Sequence, residues 1–265
     1  MPLASAVLRY DHLLLDLDGC LWVGEHALDG SVDAVAALRE SGKGIGFVTN
    51  DVRHTPEEFV RKLWRLGFQA SVDEVVTCGA ALQFVLAERS ERGAAFVIGS
   101  QALVDHVADA GMRIVNNTEF ATRADLVVVG SHEGFDFREL RIATQAVLRG
   151  AELIGTTRDR TFPMTDGPWP ASGAILAAVE EATAQRAART IGKPEPDMYA
   201  AARDRLGDGR YLGVGDRLDT DVAGARRAGI DSALVLTGGT SRAEADVAAP
   251  RPTHVAASLA ALVLA

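Results

Sequence analysis

Short apolar runs recur along the chain, and each ends in a polar residue or a glycine before a helix-like stretch begins. The first run, residues 13–15, is continuously apolar and ends at Asp16 and Asp18, which is typical of a central strand buried on both faces of a sheet. Comparable runs cover residues 46–48, 211–215 and 232–238. Because such strands alternate with helices, the pattern predicts an α/β fold built on a parallel sheet.

Helix signals separate these predicted strands. The stretch from residue 56 begins with a proline and two acids in its first turn, as helices often do, and Gly67 closes it. Residues 221–228 form another predicted helix, which Gly229 ends.

A second series of runs lies in the middle of the chain. Its predicted strands are residues 96–99, 126–130 and 153–155, and its predicted helices are residues 101–110, 137–148 and 172–184. This series predicts a second α/β domain, residues 81–186, inserted into a core domain formed by residues 1–80 and 187–265. A chain of 265 residues agrees with two domains, because it exceeds what one compact core usually holds.

Composition and charge narrow the class of protein. Hydrophobic residues make up 48% and charged residues 24%, the balance of an ordinary globular protein. The net charge of -9 argues against a nucleic-acid partner or an anionic membrane surface, because both favour clustered Lys and Arg. The first residues lack the positive region of a signal peptide, and the apolar tail from residue 255 is shorter than the roughly 20 residues of a membrane helix.

The cysteines and histidines give no metal or disulfide pattern. Cys20 and Cys78, the two cysteines of the chain, have neither disulfide nor metal-ligand spacing, and the six histidines lack a zinc motif. We therefore expect a cytoplasmic protein without a membrane or nucleic-acid partner.

Reactive side chains follow several of the predicted strands. In open parallel sheets, ligands bind at the carboxyl ends of the strands, so these side chains should converge there. The candidates are Asp16, Asp18, Thr49, Asn50, Lys193, Asp216 and Asp221. Carboxylate oxygens on a rigid frame suit Mg²⁺, while an ammonium and a hydroxyl can hold phosphate oxygens. With Asp16 as nucleophile, the set predicts Mg²⁺-dependent phosphoryl transfer.

Four segments resemble the ordered motifs of the haloacid dehalogenase superfamily: DLDGC, FVTN, GKPEP and GDRLDTD. GTTRDRTFP and IGKPEPDMY further resemble the NagD-like, p-nitrophenyl phosphatase subgroup, and the resemblance runs from residue 11 to about residue 255. It implies a Rossmann-like, doubly wound parallel-sheet core. It also implies that the inserted α/β domain is a cap that selects substrates.

The resemblance implies a role for each acid. Asp16 would be the nucleophile, and Asp18 would be the general acid and then the general base. Mg²⁺ would be held by the Asp16 carboxylate, the Asp18 backbone carbonyl and Asp216. Asp221 would orient metal-bound water.

The resemblance also implies how phosphate and substrate bind. Thr49 and Asn50 would bind the phosphate, and Lys193 would bridge the phosphate and the nucleophile. The substrate would be a small phosphorylated metabolite such as glycerol 3-phosphate, phosphoglycolate, a nucleotide, a sugar phosphate or pyridoxal phosphate. Relatives of this kind often pair through the cap, which implies a homodimer.

Three positions depart from the family pattern: Cys20, Asp51 and Ala171. None of them removes a catalytic group. The negative charge of Asp51 follows the phosphate-binding turn, so we expect it to weaken anion binding or to favour a substrate with a cationic group. We interpret Cys20 as a small buried packing residue.

Other polar residues near the predicted site receive lesser roles. We interpret His54 and His132 as surface histidines and Asp219 as a solvent-facing acid. The loop at residues 131–134 follows a predicted strand of the cap, so we expect it to influence substrate choice.

Other functions share part of this pattern. A phosphomutase on the same fold would use the same two acids of DLDGC, and a receiver-type phosphoacceptor also collects acids, Thr and Lys around Mg²⁺. A dehalogenase does not need Asp18, and a binding scaffold would be expected to have lost an acid. The subgroup resemblance favours hydrolysis.

Overall fold

The chain forms two compact units. The computed structural model describes residues 1–90, 92–164 and 166–265. The first unit comprises Met1–Thr49, Pro56–Val76 and Lys193–Ala265, and the second comprises Asn50–Thr55 and Thr77–Gly192. The predicted insertion, residues 81–186, lies inside the second unit, which also takes in flanking residues. That one unit is catalytic and the other selects substrates stays a prediction.

The elements alternate between strand and helix along the chain. The strands are β1 (His12–Leu15), β2 (Trp22–Val23), β3 (His26–Ala27), β4 (Gly44–Thr49), β5 (Val75–Thr77), β6 (Ala94–Ile98), β7 (Arg113–Ile114), β8 (Leu126–Val129), β9 (Glu152–Gly155), β10 (Thr161–Met164), β11 (Gly167–Pro170), β12 (Arg189–Thr190), β13 (Tyr211–Gly215), β14 (Asp231–Val235) and β15 (His254–Ala256). The α-helices are α1 (Ser5–Leu8), α2 (Ser31–Glu40), α3 (Pro56–Arg65), α4 (Cys78–Ala87), α5 (Gln101–Asp109), α6 (Phe137–Leu148), α7 (Ser172–Thr183), α8 (Asp197–Leu206), α9 (Ala223–Arg227), α10 (Arg242–Val247) and α11 (Leu259–Val263). Within the described ranges, no helix is long and apolar enough to cross a bilayer.

In the sheet of the first unit, the strands that come next in the chain lie on one side of β1, and the later strands lie on its other side. Its strand order is β15-β14-β13-β1-β4-β5, and β1 pairs in parallel with both β13 and β4. The chain therefore builds one half of the sheet from β1 outward and the other half from β13 outward. Such a reversal opens a crevice at the carboxyl ends of the central strands, where ligands bind. The predicted Rossmann-like α/β class is confirmed.

Apolar burial holds the central strands in place. Leu13, Leu14 and Leu15 are at most 1% exposed, as are Phe47 of β4 and Leu212 of β13. Each such side chain stabilises the fold by about 1.5–3 kcal/mol through burial. The strand ends that follow these residues therefore stand on a rigid frame.

The second unit has a parallel sheet of its own. The strand order is β12-β9-β8-β6-β7, and β10 and β11 form a separate antiparallel hairpin. The predicted strands of this region correspond to β6, β8 and β9, and the predicted helices to α5, α6 and α7. These sequence predictions are confirmed to within a few residues at each end.

One predicted helix has a different start. The stretch predicted as a helix at residues 221–228 begins as a π-helical turn, Leu218–Val222, and continues as α9. Gly229, with φ of 70°, follows its end as predicted. π-Helical turns are frequent at functional sites, and this one contains Asp221.

A buried acid ties two parts of the second unit together. The Glu180 side chain is 3% exposed and accepts hydrogen bonds from Arg158 (2.9 Å), Arg186 (2.7 Å) and the backbone N–H of Ala187 (2.9 Å). The Arg158 bond is the largest of the causes that hold the pKa of Glu180 at about 2. Arg158 belongs to the GTTRDRTFP segment, so this network anchors that segment to α7.

Glu180→Gln should destabilise the second unit by about 2 kcal/mol at pH 7, because it leaves two guanidinium groups without their carboxylate. The pKa of Glu180 is depressed in the folded state, so its contribution is complete above about pH 4.5 and is lost as the pH falls towards 2. Urea unfolding should therefore show a difference from the unmodified protein that shrinks below about pH 4.5. The exposed neighbour Glu181→Gln is the control, and an equal effect in both variants would contradict the assignment.

Candidate active site

Three acids of the first unit converge beyond the carboxyl ends of β1 and β13. Asp16 follows β1, Asp216 follows β13, and Asp221 lies in the π-helical turn. One carboxylate oxygen from each of the three lies within 4.8 Å of the other two. The Asp16 backbone N–H donates to the carbonyl of Val214 at 2.8 Å, which extends the strand pairing to Asp16 itself. Such a set offers hard oxygen ligands to one divalent cation.

A buried lysine lies against two of these acids. The Lys193 ammonium donates to Asp16 Oδ1 at 2.5 Å, to Asp221 Oδ1 at 2.6 Å and to the carbonyl of Val48 at 3.2 Å. Its side chain is 4% exposed, and that of Asp16 is 13% exposed. The sequence predicted that these three residues meet, and the structure brings them together.

Burial and charge set the proton affinities in this cluster. Burial raises the pKa of Asp16 well above its ordinary value against the opposing effect of Lys193, and the carboxylates of Asp221 and Asp216 raise it further. Burial likewise raises the pKa of Asp216. Burial alone would lower the pKa of Lys193, but Asp16 and Asp221 raise it well above its ordinary value. Lys193 therefore stays protonated, and its ammonium bonds to two of the three clustered acids, Asp16 and Asp221.

Glycines make room for the Asp216 carboxylate. The backbone N–H of Gly239 donates a short hydrogen bond to Asp216 Oδ2. A Cβ on Gly238 would lie 2.0 Å from the same oxygen, and one on Gly19, whose φ is +80°, would lie 2.5 Å from it. Residues 237 and 238 were predicted to continue a strand, but β14 ends at Val235. The role of this pair of glycines was not predicted, although two adjacent glycines after a strand are a turn signal.

Gly238→Ala should weaken the binding of Mg²⁺, the predicted cation, by about 10- to 100-fold, because the new Cβ displaces an oxygen of Asp216. Isothermal titration and the Mg²⁺ dependence of activity both measure this change. Gly239→Ala is the matched control, since its Cβ would meet the flexible Arg217 side chain at 3.0 Å and the Asp216 oxygen only at 3.3 Å. Equal Mg²⁺ affinity in the two variants would contradict the account of this turn.

Asp221 is held from three sides. Besides the bond from Lys193, its Oδ2 accepts the backbone N–H of Arg217 at 3.1 Å. Its backbone carbonyl accepts the Tyr199 hydroxyl at 3.0 Å. Burial raises the pKa of Tyr199, so the hydroxyl stays a donor. The role of Tyr199 was not predicted, because nothing in the surrounding sequence distinguishes it from a core aromatic residue.

The other predicted residues of the first unit occupy different settings. Asp18 is exposed and accepts the indole N–H of Trp22 at 2.8 Å, a contact that sequence analysis did not foresee. Thr49 is buried at the end of β4. Asp219 is 72% exposed and pairs with Arg217, which confirms that it faces solvent. Cys20 is fully buried, as predicted, and this burial raises the pKa of its thiol.

Asn50 and Asp51 belong to the second unit. The Asn50 amide donates to Asp159 at 2.8 Å. Asp51 accepts bonds from the backbone and guanidinium of Arg53 at 2.6 Å and 2.7 Å and contacts His54 at 3.3 Å. Burial opposes its ionisation, but His54 and Arg53 lower the pKa of Asp51 far below its ordinary value. The carboxylate of Asp51 is therefore paired with the Arg53 guanidinium, and its expected effect on anion binding or substrate charge stays a prediction.

The two histidines differ in exposure. The His54 side chain is 50% exposed, as predicted for a surface residue. His132 is 24% exposed and lies 3.0 Å from a carboxylate oxygen of Glu139, so it is tied to the first turn of α6 rather than open to solvent.

The chain is similar to known proteins over most of its length. A family model described as haloacid dehalogenase-like hydrolase matches residues 13–113, and a second, HAD-hydrolase-like, matches residues 190–262. The D-glycerol 3-phosphate phosphatase of Mycobacterium tuberculosis is 36% identical over 262 residues, or 97% of this chain and 72% of the relative. Chronophin of Bos taurus is 36% identical over 258 residues, or 92% and 86% of the two chains.

A solved structure is similar over nearly the whole chain. The crystal structure of the glycerol phosphate phosphatase of Mycobacterium tuberculosis in complex with magnesium has a TM-score of 0.91 and 34% identity, and the match covers 99% of this chain and 79% of that one. A structure in complex with calcium is also known for that phosphatase. Fold, acids and relatives together define a phosphoric monoester hydrolase. The chain belongs to the haloacid dehalogenase-like hydrolases, in their NagD-like subgroup.

Proposed function

We propose that this chain is a Mg²⁺-dependent phosphatase that hydrolyses a small phosphorylated metabolite through an aspartyl phosphate on Asp16. One observation carries the proposal: a buried ammonium, Lys193, lies 2.5 Å from Asp16, and that aspartate shares its surroundings with Asp216 and Asp221. The Asp16 side chain is too buried to be an ordinary solvent-exposed surface charge. It suits a nucleophile whose attack on an anion needs nearby positive charge.

The donor set fits magnesium. The Asp16 carboxylate, the Asp18 backbone carbonyl and Asp216 would hold the ion, and Asp221 would orient its water. All are oxygen donors, and the crowded glycine turn fixes Asp216 in place, in keeping with the strict geometry that Mg²⁺ requires. When bound, the ion would neutralise charge on the phosphate and so lower the barrier to attack at phosphorus.

The remaining steps of the reaction are assigned to side chains of the protein. Asp16 attacks phosphorus, and the leaving oxygen departs with the electron pair of its P–O bond while Asp18 gives it a proton. Asp18 then takes a proton from the water that attacks the aspartyl phosphate, which releases inorganic phosphate and restores Asp16. Lys193 and the Thr49 hydroxyl hold the phosphate oxygens throughout. We propose Asn50 as an additional ligand of the phosphate.

The substrate proposal is glycerol 3-phosphate or a close phosphorylated alcohol, supported by the similarity to the D-glycerol 3-phosphate phosphatase. The loop at residues 131–134 would contribute to this choice. It is anchored by the His132–Glu139 contact and by a 3.3 Å hydrogen bond from Ser172 to Ser131. Ranking kcat/KM over glycerol 3-phosphate, phosphoglycolate, sugar phosphates, nucleotides and pyridoxal phosphate tests the proposal. A ranking unaffected by replacement of the loop would count against its role.

Phosphate release from p-nitrophenyl phosphate should require Mg²⁺, stop with EDTA and return when Mg²⁺ is restored. Ca²⁺ should inhibit, because a larger ion with looser geometry can engage both Asp16 oxygens and leave neither to attack. A colorimetric phosphate assay with each ion is sufficient. Full activity in EDTA, or in Ca²⁺ alone, would contradict the proposed site.

A further inference from the structure

Trp22 is a fully buried side chain that contacts Asp18. Its indole N–H donates to Asp18 Oδ1 at 2.8 Å. The backbone joins the same two residues through a β-bridge, and the Gly19 N–H donates to the Trp22 carbonyl at 2.7 Å. The bend that contains Asp18 is therefore linked to Trp22 by backbone contacts and by a side-chain hydrogen bond.

The Trp22 ring is itself fixed from two sides. The Phe68 ring packs against it with centroids 6.4 Å apart, and the Lys62 ammonium lies 4.7 Å from its centroid. Lys62 is 22% exposed and lies 3.6 Å from a carboxylate oxygen of Glu25. A cation over the face of an indole attracts its π electrons. The N–H that points at Asp18 becomes a stronger donor as a result.

An exposed carboxylate used for proton transfer needs such a support. Asp18 is exposed, and the indole bond to its Oδ1 narrows the set of rotamers that its side chain can adopt. A general acid must lie within hydrogen-bond reach of the atom that it protonates, and a misplacement of about 1 Å costs roughly 100-fold in rate. The indole N–H can only donate, so it binds Oδ1 and cannot accept the proton that Asp18 carries.

We propose that Trp22, supported by Lys62, is a positioning residue that fixes Asp18 by Oδ1 and directs proton exchange to Oδ2. In the first half-reaction the Oδ2–H bond breaks and an O–H bond forms on the leaving group. In the second, water gives a proton back to Oδ2. The inference rests on the proposed function, in which Asp18 is the acid and base.

The test compares two substrates whose leaving groups depend to different degrees on protonation by Asp18. Trp22→Phe keeps the ring and removes the N–H, so kcat for glycerol 3-phosphate, whose alkoxide is a poor leaving group, should fall by about 10- to 100-fold with KM little changed. Formation of the phosphoenzyme from p-nitrophenyl phosphate, measured in a single turnover, should change by less than about 3-fold, because nitrophenolate leaves with little help.

Lys62 and Trp64 provide the matched variants. Lys62→Met should reproduce the selective loss at about 3-fold, and Lys62→Arg should restore the normal ratio, because it returns a cation over the ring. Trp64→Phe removes another indole N–H bond, the 2.7 Å one to the carbonyl of Ala70, and should leave both rates unchanged. Lys62 lies at the rim of the core, so its variants test the inference even where Trp22→Phe folds poorly.

The double variant with Asp18→Asn separates positioning from a general structural role. If Trp22 acts through Asp18, Trp22→Phe should cause no further selective loss once Asp18 is replaced. Equal loss on both substrates, or a persistent loss in the Asp18→Asn background, would overturn the inference and leave the proposed function standing. Alkyl phosphate turnover that survives Asp18→Asn unchanged would instead refute the acid role itself.

Discussion

Replacing Asp16 with Asn should reduce phosphate release to background with every substrate, because the variant lacks both the proposed nucleophile and a proposed Mg²⁺ ligand. Asp18→Asn should behave differently. It keeps the nucleophile and its backbone carbonyl, and it loses proton transfer, which is typically worth about 10²- to 10⁴-fold. The value of kcat/KM, which reports the steps up to formation of the phosphoenzyme, should therefore fall more on glycerol 3-phosphate than on p-nitrophenyl phosphate for Asp18→Asn only.

The matched control for these two variants is Asp219→Asn. Asp219 is an acid of the GDRLDTD segment that is 72% exposed and paired with Arg217. Its replacement should leave turnover within about 2-fold of the unmodified protein, as expected of a solvent-exposed ion pair. A loss comparable to that of Asp16→Asn would mean that the three converging acids have been wrongly chosen.

Replacing Lys193 with Met should cost both stability and activity. Removing one partner of a buried ion pair leaves the remaining charges uncompensated, typically at about 3–5 kcal/mol, and here two carboxylates, Asp16 and Asp221, would lose their shared ammonium. Turnover should fall by about 100-fold or more, because the charge that faces the phosphate is gone. Thermal unfolding with and without Mg²⁺ should show a smaller stability loss when the ion is present.

Two further variants make the Lys193 result specific. Adding Asp221→Asn to Lys193→Met removes one of the stranded charges and should recover part of the stability but none of the activity. Lys43→Met is the matched control, because that ammonium bonds only to backbone carbonyls, at 3.0 Å to Leu8 and 2.5 Å to Tyr10, in the contacts that the structure shows. A Lys193 effect no larger than the Lys43 effect would contradict the role of the buried pair.

The central strands and the acids that follow them were predictable from sequence. Continuous apolar runs such as residues 13–15 are typical of strands buried on both faces of a parallel sheet, which predicts that Asp16 follows the end of such a strand. The same reasoning placed Asp216 after β13. Lys193 was assigned to the acids only through its place in the ordered motifs of the family. The positions of the two acids follow from strand burial, which leaves a clear apolar signal in the chain.

The supports of the site were not predictable in the same way. The Trp22 indole bond to Asp18, the Gly239 bond to Asp216 and the Tyr199 bond to Asp221 depend on side-chain directions and turn geometry. Apolar periodicity carries no information on such contacts. The helix predicted to begin at residue 221 begins three residues earlier, with the π-helical turn Leu218–Val222, and the sequence pattern gave no sign of that turn.

The partner of Asp51 was not predictable either. The sequence shows an extra acid after the predicted phosphate-binding turn, but it does not show which side chain this acid contacts. The structure pairs it with Arg53, two residues along the chain, at 2.7 Å. Whether a nearby opposite charge forms an ion pair depends on backbone direction, which the composition of a loop does not determine.

The measurement that tests the central claim most directly is detection of the aspartyl phosphate. Asp18→Asn should still be phosphorylated by p-nitrophenyl phosphate, and its hydrolysis, which needs the base, should become rate-limiting. Intact-protein mass spectrometry after a rapid acid quench should then show one phosphate adduct, which peptide mapping places on Asp16 and which Asp16→Asn abolishes. An adduct on another residue, or one that persists in the Asp16→Asn/Asp18→Asn variant, would contradict Asp16 as the nucleophile.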